Sequence, residues 1–149
     1  MYNHYCWPEG FWYDQRNGGA DPVIIDRSLH SFNAEDKMNQ MLDYVYYYRA
    51  HYKTNHIFVP MGCDFTYLNA HLNFRSMDNL IDYFNFHQAK NNIVIKYSTP
   101  GIYLDEVIST NTVWPTKYDD MFPYGDDPND YWTGYFSSRP TAKGYVRTG

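Results

Sequence analysis

The chain has 149 residues, of which 44% are hydrophobic and 19% charged, the balance of a folded domain rather than of a disordered segment. Its net charge of −5, with no cluster of Lys or Arg, excludes the electrostatic footprint of a nucleic-acid or anionic-membrane binder. No apolar run is long enough to span a bilayer, and Met1-Tyr2-Asn3-His4 does not read as a leader, so any targeting signal is expected outside this stretch.

Residues 1–30 are rich in aromatics, Gly and Pro, as in Trp7-Pro8-Glu9-Gly10-Phe11-Trp12 and Asn17-Gly18-Gly19, and show no sustained period. A loop this long inside a domain more often carries function than not. Beginning in mid-loop is what a piece of a larger protein would do. From Asn33, read as an N-cap, apolar residues at Met38, Met41, Leu42, Val45 and Tyr52 follow the helical period, predicting a helix to about Tyr52. Asn55 to Val59 is a β-rich run ending in Pro60 and reads as a buried strand. A second helix is predicted from about Asn69 to Phe86, with an inward stripe of Phe74, Met77, Leu80, Ile81 and Phe84. Asn91-Asn92 turns the chain into a second strand, Ile93 to Tyr97. Ser98-Thr99 then caps a third helix that has Pro100 at its first position and turns Tyr103, Leu104, Val107 and Ile108 inward. Helices alternating with short strands predict an α/β fold with a parallel sheet. Two strands do not make a stable sheet, so the chain is expected to be part of a larger one. Past Asn111 the sequence is irregular again, until Pro140 offers a helix start near the end.

Within this frame Asp64 stands out. It follows the first predicted strand, and Gly62 gives the sharp exit from the sheet. In α/β barrels and open sheets that edge holds ligands and catalytic residues. With Met61 and Phe65 beside it, desolvation would favour the protonated carboxyl, the form a general acid needs. A capping aspartate in a strand-to-helix loop is the alternative.

Other chemistry is sparse. The histidines, His4, His30, His51, His56, His71 and His87, are scattered, and neither metal-binding nor nucleophile-elbow spacings occur. Cys6 and Cys63 permit a single disulfide but have no metal-ligand spacing. What remains is loop carboxylates, Asp64, Asp119, Asp120 and Asp126, among the aromatics Tyr5, Trp7, Tyr124, Tyr131 and Trp132. Aspartates set among flat aromatic faces suit glycoside hydrolysis, in which an acid protonates the glycosidic oxygen and a ring covers the sugar's C–H face. The Asp119-Asp120 and Asp126-Asp127 pairs read equally as solvated turn acids.

Several longer motifs are more specific. Tyr52-x-Thr54-Asn55-His56, Met61-Gly62-x-Asp64-Phe65-x-Tyr67, Tyr97-Ser98-Thr99-Pro100, Asp119-Asp120-x-Phe122-Pro123-Tyr124 and the run from Tyr131 to Pro140 follow in that order. Together they resemble the lysosomal-type α-mannosidases of glycoside hydrolase family 38, nearly from end to end. The resemblance implies a piece of a retaining, zinc-dependent hydrolase of terminal α-linked mannose on N-glycan oligosaccharides. The implied architecture is a partial seven-stranded β/α barrel, its C-terminal βα units, over residues 1–130, with the start of a helical domain at 131–149. By the same resemblance Asp64 is the general acid/base, Trp132 a wall of the sugar site, Tyr5 a hydrogen-bonding partner of the sugar and Asp126 a further lining residue. Asp120 receives no chemical step. The nucleophile and the zinc ligands are expected outside this chain, in the rest of the parent polypeptide, and no residue here is assigned to the metal. Cys63 departs from the pattern, since relatives can carry Asp or Ser beside the acid. A lysosomal or secretory location is likewise implied only by the resemblance. A carbohydrate-binding piece without catalysis, or a truncated remnant, is the competing reading.

Overall fold

The two longest helical periods become helices. In the computed structural model, which describes residues 6–13 and 21–149, α1 spans Ala34–Arg49 and α2 spans Ala70–Phe86. In α1, Ala34, Met38, Met41 and Val45 are buried, one every three or four residues, and this stripe packs against α2. Asn33 precedes α1, but its side chain makes no capping bond; its Oδ1 accepts from Ile24 N at 2.8 Å and its Nδ2 donates to Pro22 O at 2.9 Å. It ties the preceding loop to the helix instead. Beyond Arg49 the chain tightens into i to i+3 bonds at His51 and Tyr52, and the Arg49 guanidinium holds that turn through Tyr52 O and Asn55 Oδ1.

The buried face of α2 is Asn73, Ser76, Met77, Leu80 and Phe84, so the apolar stripe is rotated from the expected one and Phe74 is half exposed. Short α3, Gln88–Asn91, ends where Asn92 adopts a left-handed φ of 53°, the turn expected at Asn91-Asn92. α4, Pro100–Ser109, is capped as read: Thr99 Oγ1 accepts from Ile102 N at 3.3 Å. Only Val107 is buried on α4, while Leu104 and Ile108, expected inside, are exposed.

The expected α/β architecture does not form. The stretches predicted as strands, 55–59 and 93–97, are extended, but neither is paired, and no barrel is present among the described residues. The reason is the accounting of backbone hydrogen bonds: a strand needs a neighbour to pair with, and none of the described residues pairs with either stretch. Among the described residues no backbone-to-backbone bond reaches residues 93–97 or 55–59. Side chains substitute for some of them. The Asn85 amide accepts from Ile95 N at 3.0 Å and donates to Ile95 O at 2.8 Å, reproducing a two-bond strand contact. Tyr52 and Tyr103 donate their hydroxyls to the carbonyls of Phe58 and His56. Ile57, Val59, Ile93 and Ile95 still pack toward the core, alternating as a strand would. Between the extended stretches and the helices lies a cavity of about 740 Å³, lined by Ile57, Val59, Leu80, Ile93 and Ile95 among others.

Described parts of the irregular N-terminal stretch contribute to the core. Trp7, Phe11 and Tyr13 are buried with Val23, Met38 and Phe84. Gly10 has φ +86°, a backbone conformation in which any side chain would be strained. Lys37 on α1 is buried as well, and its ammonium donates to Gly10 O and pairs with Asp21. The loop is thereby ionically fastened to the helix.

The chain divides into two compact units, Met1–Val113 and Trp114–Gly149. The second has a two-stranded antiparallel hairpin, β1 Gly125–Asp127 and β2 Asp130–Tyr131, turned by Pro128 and left-handed Asn129. Its helix α5, Pro140–Thr148, begins at the proline read from the sequence and has no buried residue. None of the described residues of any element is a helix long and apolar enough to cross a membrane.

Candidate active site

Asp64 sits where the first extended stretch ends. Cys63 to Thr66 is a turn closed by Thr66 N donating to Cys63 O at 3.3 Å, with Asp64 and Phe65 at its corners. Phe65 and Tyr67 have φ of 60° and 66°, left-handed values that cost non-glycine residues on the order of 1–2 kcal/mol each. Such a backbone persists only where its surroundings hold it, and here they do. Thr66 Oγ1 donates to Cys63 O at 2.7 Å and accepts from Cys63 N at 3.1 Å. The Tyr67 hydroxyl donates to Met61 O. Cys63 is bonded to Cys6, with Cα atoms 4.4 Å apart across 57 residues of sequence.

Aromatic contacts back this turn. The Tyr67 ring stacks on buried Trp7 at 5.5 Å and 13°, Phe74 lies 5.6 Å from Tyr67, and Tyr97 lies 6.2 Å from Phe74. The exits of the two extended stretches are therefore joined by a row of rings. Burial pushes the Tyr67 phenol above its ordinary value. Tyr97 is pushed up too, by burial first and then by its 2.7 Å hydrogen bond to Asp78 Oδ1. Both remain neutral donors at any physiological pH.

Asp64 itself is exposed, and Phe65 is 76% exposed. The apolar enclosure expected around the carboxyl is not made by the described residues. Nor does Asp64 line the large cavity.

Trp132 lies in the second unit, about half exposed, with its N–H of the main chain donating to Tyr124 O at 2.9 Å. Its ring is 5.9 Å from Tyr124 and 6.1 Å from Tyr135, whose ring lies 4.1 Å from Phe136 at a tilt of 31°. Asp126 is in β1, and Asp119 pairs with Lys117. Tyr5 lies outside the described residues. Asp64 thus belongs to the first unit, and Trp132 and Asp126 to the second.

Among the described residues no three His, Cys, Asp or Glu side chains gather to hold a metal ion. The donor set for zinc is not found among them, and no chemistry is assigned to the metal here. Sequence reading missed Trp7, Thr66 and Tyr67 as the supports of Asp64. The pair of cysteines was the one signal that pointed to them.

Residues 1–127 match the model of the glycosyl hydrolases family 38 N-terminal domain. The chain is 45% identical over 143 residues to the lysosomal alpha-mannosidase of Dictyostelium discoideum, covering 96% of this chain and 14% of that protein. It is 42% identical over 127 residues to the human lysosomal alpha-mannosidase, covering 85% of this chain and 13% of that protein. An alpha-mannosidase of Arabidopsis thaliana is 42% identical over 144 residues, covering 97% of this chain and 14% of the plant protein. The chain therefore spans about 14% of the length of the curated relatives it matches. The expectation of closing barrel units gives way to a coarser statement, a piece of an N-terminal domain.

Proposed function

Because the chain belongs to glycoside hydrolase family 38, as a piece of its N-terminal domain, we propose that it supplies Asp64 as the general acid/base of a retaining α-mannosidase acting on terminal α-linked mannose of N-glycan oligosaccharides. The observation that carries this reading is an exposed carboxyl on a rigidly fastened turn, at the exit of an extended stretch, in a chain 45% identical to a lysosomal alpha-mannosidase.

The chemistry is a double displacement. Asp64 gives its proton to the glycosidic oxygen as a carboxylate elsewhere in the parent polypeptide attacks the anomeric carbon. The leaving sugar departs as an alcohol. Asp64, now a carboxylate, takes a proton from the water that attacks the glycosyl-enzyme, and mannose leaves with its configuration retained. Trp132 offers an apolar ring face to the sugar, and Asp126 and Tyr5 accept or donate hydrogen bonds to its hydroxyls. The zinc of the resemblance requires donors from outside the described residues, so no step is given to it. The chain by itself lacks the attacking group and is inactive alone.

The test is Asp64→Asn in the intact polypeptide, with kcat/KM measured on a mannoside of poor leaving group and on an activated aryl mannoside. A general acid contributes about 10²–10⁴-fold. The loss should be of that size on the first substrate and about tenfold or less on the second. Equal losses on both would remove Asp64 from this role.

The cluster Tyr124, Trp132, Tyr135 and Phe136, exposed as it is, favours a second reading as a carbohydrate-binding piece. Sugar binding without turnover in the whole gene product, surviving removal of zinc, would support it. A lysosomal or secretory location is favoured by the relatives' printed names and by the disulfide, which persists in oxidising compartments.

A further inference from the structure

We infer that the Cys6–Cys63 disulfide, with the Trp7–Tyr67 stack beside it, is a clasp that sets the position of Asp64 for proton transfer. This rests on the reading of Asp64 as the acid/base.

Cys63 is the residue directly before Asp64, and its sulfur is tied to the residue directly before Trp7. Trp7 is fully buried, edge-on to Tyr13 at 5.3 Å and stacked on Tyr67. The turn is therefore gripped from both ends by two adjacent residues of the N-terminal stretch: by Cys6 through the disulfide on the Cys63 side and by Trp7 through the ring stack on the Tyr67 side. Thr66 closes the turn on itself through Cys63, while the Tyr67 hydroxyl bonds Met61 O on the same stretch and Met77 Sδ on α2 at 3.7 Å. None of these contacts joins the turn to the N-terminal stretch. The disulfide is the covalent link between this shape and the buried N-terminal stretch, 57 residues away in sequence. An exposed carboxyl that must meet a glycosidic oxygen within hydrogen-bond reach is sensitive to displacement, and a shift of about 1 Å can cost about 10²-fold in rate. Cys6, Cys63 and Trp7 are thus positioning residues, acting through Asp64.

A merely stabilising disulfide would affect all substrates alike, and this separates the two roles. In the intact polypeptide, a non-reducing peptide map should join Cys6 to Cys63. Free thiols at both positions would overturn the inference. Cys63→Ser and Cys6→Ser should each lower kcat about 10- to 100-fold on the mannoside of poor leaving group. On the activated aryl mannoside the loss should be threefold or less, with KM unchanged on both. Losses equal on the two substrates, or absent on both, would overturn the clasp. Should the variants fail to fold, the folded wild type treated with a water-soluble phosphine gives the same readout. Its activity ratio between the two substrates should fall on reduction and return on reoxidation, and a constant ratio would overturn the clasp. Asp64→Asn is run in parallel. If it shows the leaving-group dependence and the cysteine variants do not, the clasp alone fails. If Asp64→Asn shows none, the acid/base reading fails and the clasp falls with it.

Discussion

The two units spend the same kind of residue in opposite ways. In Met1–Val113 the aromatics Trp7, Phe11, Tyr13 and Phe84 are the centre of the core. In Trp114–Gly149 the rings of Tyr118, Phe122, Trp132 and Phe136 are exposed, and none of the described residues of that unit is buried. An aromatic content of 20% therefore does not by itself announce a sugar site. Only rings that remain uncovered are available to a ligand, and Asp64 stands on a turn fastened to the covered ones.

This contrast predicts a sharp asymmetry between two tryptophans. Trp7→Ala removes a fully buried ring and should cost about 3–5 kcal/mol in unfolding free energy, read from denaturant midpoints. Trp132→Ala, at a half-exposed position, should change stability by about 0.5 kcal/mol or less while raising KM for mannosides several-fold. Comparable destabilisation by the two substitutions would erase the distinction. A smaller effect is expected at Asn85, whose amide stands in for a missing strand beside Ile95. Asn85→Leu should cost on the order of 1–2 kcal/mol, because both backbone groups of Ile95 lose their partner. Hydrogen exchange of the Ile95 amide should quicken, and no change in exchange would contradict the bridge.

The smallest effect is one of pH. Burial, then Tyr48 and Tyr52, push the Tyr44 phenol from 10.0 up to about 12. Its contribution is fully present below pH 10 and is lost as pH rises from 10 toward 12, where the unfolded state releases the proton first. Stability should therefore fall across that window, less steeply in Tyr44→Phe. An identical slope in the variant would contradict the assignment.

Helices were legible where the apolar period was long. Met38, Met41 and Val45 of the expected stripe are buried, whereas Leu42 is only partly buried and Tyr52 lies beyond the helix, and Thr99-Pro100 starts α4 where cap chemistry demands. The strands were legible only as extended backbone, since Ile57, Val59, Ile93 and Ile95 alternate inward without partners to pair with. Pairing depends on neighbouring backbone, and none of the described residues supplies it. The N-terminal core was hidden because Trp7, Phe11 and Tyr13 follow no period, and no sequence pattern marks Lys37 as a buried cation paired with exposed Asp21. For the site, motif order marked Asp64, but the supports of its turn are read only from the fold. Thr66 and Tyr67 act through hydrogen bonds, and Trp7 through a stack across 60 residues.

The most direct test of Asp64 as acid/base is rescue of Asp64→Ala by azide in the intact polypeptide, with the product's stereochemistry determined. An acid/base variant leaves the glycosyl-enzyme open to azide on the face that water would use, so the account predicts restored turnover and an α-mannosyl azide. A β-mannosyl azide would mean that the vacated position belonged to the nucleophile, and would contradict it.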